Sequence, residues 1–82
     1  MNRFTVLLFA RLKELVGAGN VEIDLPMGAT IADLRRRLAE EYPQTASLLP
    51  HCLFAVNDAY AAETHRLALA DEIACIPPVS GG

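Results

Sequence analysis

Phe4-Thr5-Val6-Leu7-Leu8-Phe9 is the stretch on which the fold turns. Side chains alternate along a strand, so Phe4, Val6 and Leu8 face one way and Thr5, Leu7 and Phe9 the other. A strand with one wet face alternates apolar and polar residues. Here only Thr5 interrupts the apolar run, so the segment reads as a central strand whose second face also needs cover. A second uniformly apolar run, Ile73-Ala74-Cys75-Ile76, lies near the other end and is stopped by Pro77-Pro78. The first and last strands are therefore expected side by side in the middle of one mixed sheet.

Working outward, Ala10 to Val16 carries helix formers and ends at Gly17, a C-cap signal. Ala18-Gly19-Asn20 is a turn, and Val21-Glu22-Ile23-Asp24-Leu25 alternates as a half-buried strand antiparallel to the first. Pro26-Met27-Gly28-Ala29 breaks it. Thr30 then reads as an N-cap, with Asp33 in the capping-box position. Ile31, Leu34, Leu38 and Tyr42 form one apolar stripe of the main helix, which Pro43 ends. Residues 44 to 52 are irregular, with a helical turn expected over Ala46 to Leu49. Leu53 to Asn57 is the third strand, Asn57-Asp58 a turn without the usual glycine, and Tyr60 opens a short return strand. Leu67-Ala68-Leu69 fits no element clearly, and Asp71-Glu72 leads into the last strand. No repeat or low-complexity segment is visible.

One long helix among about five strands is an α+β pattern. The arrangement expected is a β-grasp, a mixed sheet curled around one main helix, over residues 1–76. Residues 77–82 form an extended tail.

The 82 residues bound one domain with a modest core. An apolar content of 52% means tight packing or apolar surface kept for a partner. A net charge of −3 argues against a nucleic-acid binder. The Arg35-Arg36-Arg37 run sits beside Glu40 and Glu41 and reads as a solvated helix face. Cys52 and Cys75 form no CxxC and, with His51 and His65 alone for company, no metal site is expected. The histidines read as surface residues, Cys75 as a small core residue, and Cys52 as an unreactive loop residue. The Phe4–Ala10 run is too short for a signal peptide, and no run is long enough to span a bilayer. A reducing cytoplasm suits these features.

The sequence finishes Pro77-Pro78-Val79-Ser80-Gly81-Gly82. Glycines without Cβ atoms can enter a passage too narrow for other residues, and the prolines keep the preceding backbone stiff. Such a tail, extended, reaches roughly 20 Å and offers its terminal carboxylate to a partner. The plain alternative is a frayed terminus. If Val6 and Ile73 face the helix, Phe9 and Ile76 face outward together, with Tyr60 near the same edge. Scattered exposed apolar residues are ordinary, but three clustered beside a tail would make an interface.

Three stretches carry a resemblance: Leu8-Phe9-Ala10-Arg11-Leu12-Lys13-Glu14-Leu15-Val16-Gly17, Ala55-Val56-Asn57, and Asp71-Glu72-Ile73 through Gly82. Over its whole length the chain resembles the ubiquitin-like sulfur carriers, most closely the small subunits of molybdopterin synthase. It departs in Leu69-Ala70-Asp71, where that family often has Asp-Gly, and in Cys75-Ile76, where it often has two aromatics. The resemblance implies that Gly82 is adenylated with ATP and converted to a thiocarboxylate by a persulfide. The sulfur would then pass to cyclic pyranopterin monophosphate to build the molybdopterin dithiolene. Gly81 would help thread the tail; Phe9, Tyr60, Ile76, Pro77, Pro78 and Val79 would bind the partner. The implied partners are a synthase large subunit, joined in a heterotetramer, an adenylating enzyme, and a sulfur donor such as a cysteine desulfurase or rhodanese. No tightly bound cofactor or metal is implied. The acid–base groups would belong to the large subunit. A thiamine-type carrier, a ubiquitin-like modifier and a non-covalent binding module are the alternatives.

Overall fold

In the computed structural model, residues 1–78 are described, and they form five strands, two α-helices and two 3-10 turns. β1 (Asn2–Leu8) leads into α1 (Ala10–Val16), β2 (Asn20–Leu25) and α2 (Ile31–Glu41). The turns Pro43–Thr45 and Leu49–His51 follow, then β3 (Leu53–Val56), β4 (Ala59–Tyr60) and β5 (Ile73–Ile76). The strand order is β2-β1-β5-β3-β4. β1 lies between its antiparallel partner β2 and its parallel partner β5, so the two most apolar strands are central neighbours. β5 also pairs antiparallel with β3, and β3 with β4.

Only one face of this sheet is covered within the described residues. Phe4, Val6, Leu8, Ile23, Phe54, Val56, Ile73 and Cys75 point inward and meet Ile31, Leu34 and Leu38 of α2 in a single core. Thr30 caps α2 as its sequence position suggested. Its Oγ1 accepts from the Asp33 N–H at 3.3 Å, and the Asp33 carboxylate accepts from the Thr30 N–H at 2.9 Å. α1 stops at Gly17, whose φ of +83° favours glycine.

The connection after α2 differs from the expected single turn over Ala46 to Leu49. Two short 3-10 turns form instead, one opened by Pro43 and one by Leu49 with Pro50 second, and the Leu48 N–H bonded to the Thr45 carbonyl at 2.9 Å makes a turn between them. The Arg run needs a correction too. Arg36 and Arg37 pair with Asp33 and Glu41 on the helix surface, but Arg35 is only 20% exposed and turns inward. It donates to the carbonyls of Leu49 and, at 2.8 Å, Cys52, forks onto Glu63 at 2.6 and 3.0 Å, and lies 4.9 Å from the centre of the Phe54 ring. A surface charge in the sequence is thus the clamp that holds the irregular connection to the helix.

Candidate docking site

The outer face of the sheet follows from register. Leu7 is opposite Ala74, Ala74 opposite Ala55, and Ala55 opposite Tyr60, giving one row across β1, β5, β3 and β4. In the adjacent row Ile76 faces Leu53, which is 55% exposed. The opposite half of this face is polar: β2 sets Glu22 beside Thr5 and Asp24 beside Arg3. The Arg3 Nε hydrogen bond to Asp24, 3.1 Å long, holds that carboxyl below its usual range. The exposed sheet is therefore split into a charged half and an apolar half.

Two concavities mark the apolar half. One, of about 330 Å³, has Phe9, Tyr60 and Ile76 around it, with Ala55, Ala74 and the turn residue Asp58. Ala55 and Ala74 are paired across the strands, so small side chains sit where larger ones rise beside them. The other, of about 650 Å³, is lined by Phe9, Ala10, Arg11, Leu48, Ile76, Pro77 and Pro78. Phe9 and Ile76 belong to both and join the hollow on the sheet to the root of the tail.

Phe9 is 46% exposed because the backbone turns sharply after it. Phe9 itself is extended, and Ala10 has a φ of +49°, a left-handed conformation that costs an L-residue about 1–2 kcal/mol. The Phe9 carbonyl accepts from the N–H groups of Leu12 and Lys13 at 3.1 and 3.4 Å, which fixes the start of α1. Strain of this kind persists where surrounding structure over-determines it. Across the sheet, Asn57 and Asp58 have φ of +52° and +69°, so the β3–β4 turn takes the primed hairpin form without a glycine. The Asn57 side chain donates to Asp71 at 3.0 Å and accepts from the Glu72 N–H at 2.9 Å, tying this turn to the entry of β5.

Of the residues singled out in the sequence, Phe9, Tyr60 and Ile76 lie around one hollow, and Tyr60 is 73% exposed. Pro77 is buried and belongs to the folded body, whereas Pro78 is exposed; both line the tail-root groove. Val79, Gly81 and Gly82 lie outside the described residues. Leu53, Ala55 and Ala74 escaped notice in the sequence, although their outward position follows from the alternation of β3 and β5. Ala10 and Leu48 carried no signal, because their place depends on a backbone turn and a non-local contact.

Acid–base groups are sparse here. His51 and His65 are exposed, and His65 Nε2 is 4.0 Å from Asp71. No three His, Cys, Asp or Glu side chains among the described residues could hold a metal ion. Both thiols are buried: Cys52 precedes β3, its Sγ donating to the Leu48 carbonyl at 3.3 Å, and Cys75 lies in β5. Although distant in sequence they belong to the same core cluster, and burial pushes both thiols up, which keeps them protonated and unreactive. Cys52 is thus an unreactive loop residue, as expected, and its side chain is buried in the core. No helix among the described residues is long and apolar enough to cross a membrane. What this surface offers is docking beside a tail.

Comparison with known proteins gives the same direction. The sequence model of the ThiS family matches residues 6–82. The molybdopterin synthase sulfur carrier subunit of Dictyostelium discoideum is 45% identical over 84 residues, covering 99% of this chain and 98% of that protein. SAMP1 of Haloferax volcanii superposes with a TM-score of 0.85 at 32% identity, covering 99% of this chain and all (100%) of the other. Subunits 1 and 2 of the molybdopterin-converting factor of Helicobacter pylori, solved as a protein–protein complex, provide another match, with a TM-score of 0.68, 26% identity, and coverage of 98% and 99%. The fold is thus the ubiquitin-like β-grasp, and the chain belongs to the ThiS family.

Proposed function

We propose that this chain is the sulfur carrier subunit of a molybdopterin synthase. The observation that carries the reading is the continuity of the bare apolar half-sheet with the tail-root groove through Phe9 and Ile76. A carrier needs a face to dock and a tail to insert, and these two adjoin. The naming of its relatives as molybdopterin synthase sulfur carrier subunits, and the H. pylori complex, support a large subunit as the docked partner.

In this reading the chemistry is at the Gly82 carboxylate. A carboxylate is a poor electrophile, so an adenylating enzyme uses ATP to form the acyl adenylate and release pyrophosphate. A persulfide, from a cysteine desulfurase or a rhodanese, displaces AMP; a second thiol then attacks the donor's sulfur in the resulting acyl disulfide, ending in a disulfide with it and releasing the thiocarboxylate. The large subunit then draws the tail in, and the sulfur attacks cyclic pyranopterin monophosphate; two such deliveries complete the dithiolene. Gly81 and Gly82 supply the narrow thread, Val79 and the prolines the stiff approach, and Phe9, Tyr60 and Ile76 the docking contacts. The proton-transfer groups belong to the partner.

A second reading, a protein modifier, draws support from the fold match to SAMP1. Intact mass spectrometry after incubation with ATP, the cognate adenylating enzyme and a persulfide source separates them. Exchange of one oxygen for sulfur at Gly82, dependent on ATP, is expected. Conjugates to other proteins' lysines without any thiocarboxylate would favour the modifier, and neither product would overturn both.

A further inference from the structure

The groove at Pro77–Pro78 draws its walls from three elements, and they are not held alike. Phe9, Ala10 and Arg11 stand at the start of α1, fixed by the N–H groups of Leu12 and Lys13 on the Phe9 carbonyl. Ile76 ends β5, which is paired with β1 on one side and β3 on the other. Leu48 comes instead from the irregular connection between α2 and β3. There the N–H groups of Thr45, Ala46, Leu48, His51 and Cys52 each bond the carbonyl three residues back. Such bonds close the connection on itself and leave its placement against the body undecided. Gln44 ties the first half to the Leu15 carbonyl at 3.4 Å. In the half that carries Leu48 the tie is Arg35, whose guanidinium donates to the carbonyls of Leu49 and Cys52. Leu48 is joined to both anchors: it precedes Leu49, and its own carbonyl accepts from the Cys52 thiol at 3.3 Å. Burial of the Leu49 side chain seats this turn, yet apolar burial is non-directional; the charged hydrogen bonds from Arg35 set its orientation.

We propose that Arg35 is a positioning residue for docking: it holds Leu48 in place as one wall of the groove at Pro77–Pro78, so that the partner meets a preformed surface. This role rests on the proposed docking of a large subunit. Arg35 itself lines neither hollow of the docking face. Its guanidinium lies over the Phe54 ring in the core, and its remaining donors fork onto Glu63. It therefore acts only through the connection it grips. A preformed groove spares the partner the cost of ordering Leu48 on binding. Without the guanidinium, the Leu49 and Cys52 carbonyls lose their tie to α2. The groove then loses one wall, while α1 and β5 keep the others.

Two measurements on the full chain test this, both made well below the melting temperature of each variant. The first is amide nitrogen relaxation of the free protein. In the wild type the Leu48, His51 and Cys52 amides should have order parameters near the rigid value of about 0.85. In Arg35→Met they should fall below about 0.6, with those of β1 and β5 unchanged. A variant that is merely less stable keeps its wild-type values in the folded state, and that result would overturn the proposal. If Arg35→Met does not fold, Glu63→Ala, which removes the fork that orients the guanidinium, should lower the same three values and is judged in the same way. The second is calorimetric titration into the large subunit. Leu48→Ala and Arg35→Met (or Glu63→Ala in its place) should each weaken Kd, Leu48→Ala by about tenfold, and the double variant should bind no more weakly than Leu48→Ala. Additive losses, or an Arg35→Met protein that binds like the wild type, would overturn the proposal. A wild-type chain that does not bind the large subunit would overturn the docking reading and this role with it, whereas normal wild-type binding beside either contrary result overturns this role alone.

Discussion

Truncating Phe9 to alanine should separate docking from folding. A phenylalanine of roughly 200 Å² that is 46% exposed presents about 90 Å² to solvent. Covered by a partner at about 25 cal/mol per Å², that area is worth about 2 kcal/mol, or a 30- to 50-fold weaker Kd when it is removed. The half already buried bounds the cost to the monomer, and Phe9 lies outside the core cluster formed by Phe4, Val6 and Leu8. Calorimetric titration of wild type and Phe9→Ala into the synthase large subunit measures the first effect. Circular-dichroism melting of each protein alone measures the second. A change in Kd below about threefold, with the variant folded, would refute the assignment of this face. A variant that melts with the severity of a core truncation would refute the separation of roles, and Tyr60→Ala, whose ring is 73% exposed, then tests the face alone.

Arg35→Met should destabilise the fold by about 3 kcal/mol, since two loop carbonyls lose a charged donor, which lowers the melting temperature by roughly 15 °C. Arg35→Lys should recover only part of this, because the fork onto Glu63 needs the guanidinium plane; full recovery by Lys would show that charge alone suffices. Asp58→Gly should raise stability by about 0.5 kcal/mol, relieving a φ of +69° at the second turn position; a lower melting temperature would mean that the carboxylate has a local role. The carboxyls of Asp24, Asp33 and Glu63 are each held below their usual range by hydrogen bonds. For such groups the unfolded chain binds protons first as pH falls. Their stabilisation is therefore complete above the ordinary carboxylate range, about pH 4, and is lost as pH drops through the lower folded values. Melting temperature measured from pH 6 to pH 2.5 should stay level and then fall; a steady decline beginning near pH 6 would point to another group.

Local chemistry made much of this architecture readable in advance. The capping box of Thr30 and Asp33, the glycine stop of α1 and the doubly apolar first strand are each decided within a few residues, and each appears in the structure. The outward direction of Phe9 and Ile76 needed only the alternation of two strands. Arg35 was different: in the sequence nothing separates it from Arg36 and Arg37, and its acceptors lie 14 and 17 residues downstream. The sharing of one core by Cys52 and Cys75 depends on the β3–β5 register, which no local pattern specifies. The alanines of the hollow are inconspicuous as letters, and their importance comes from being small where their neighbours are large.

β5 joins what would otherwise be two separate antiparallel pairs, β1 with β2 and β3 with β4. Two-stranded units are marginal alone in water, so the sheet has no stable half-assembled form. The strand that completes cooperative assembly is also the strand from which the tail departs. A damaged or partly unfolded copy therefore loses the docking face and the correctly presented tail in the same event. Partners that recognise both would then discriminate, without a dedicated checkpoint, against carriers whose fold has failed.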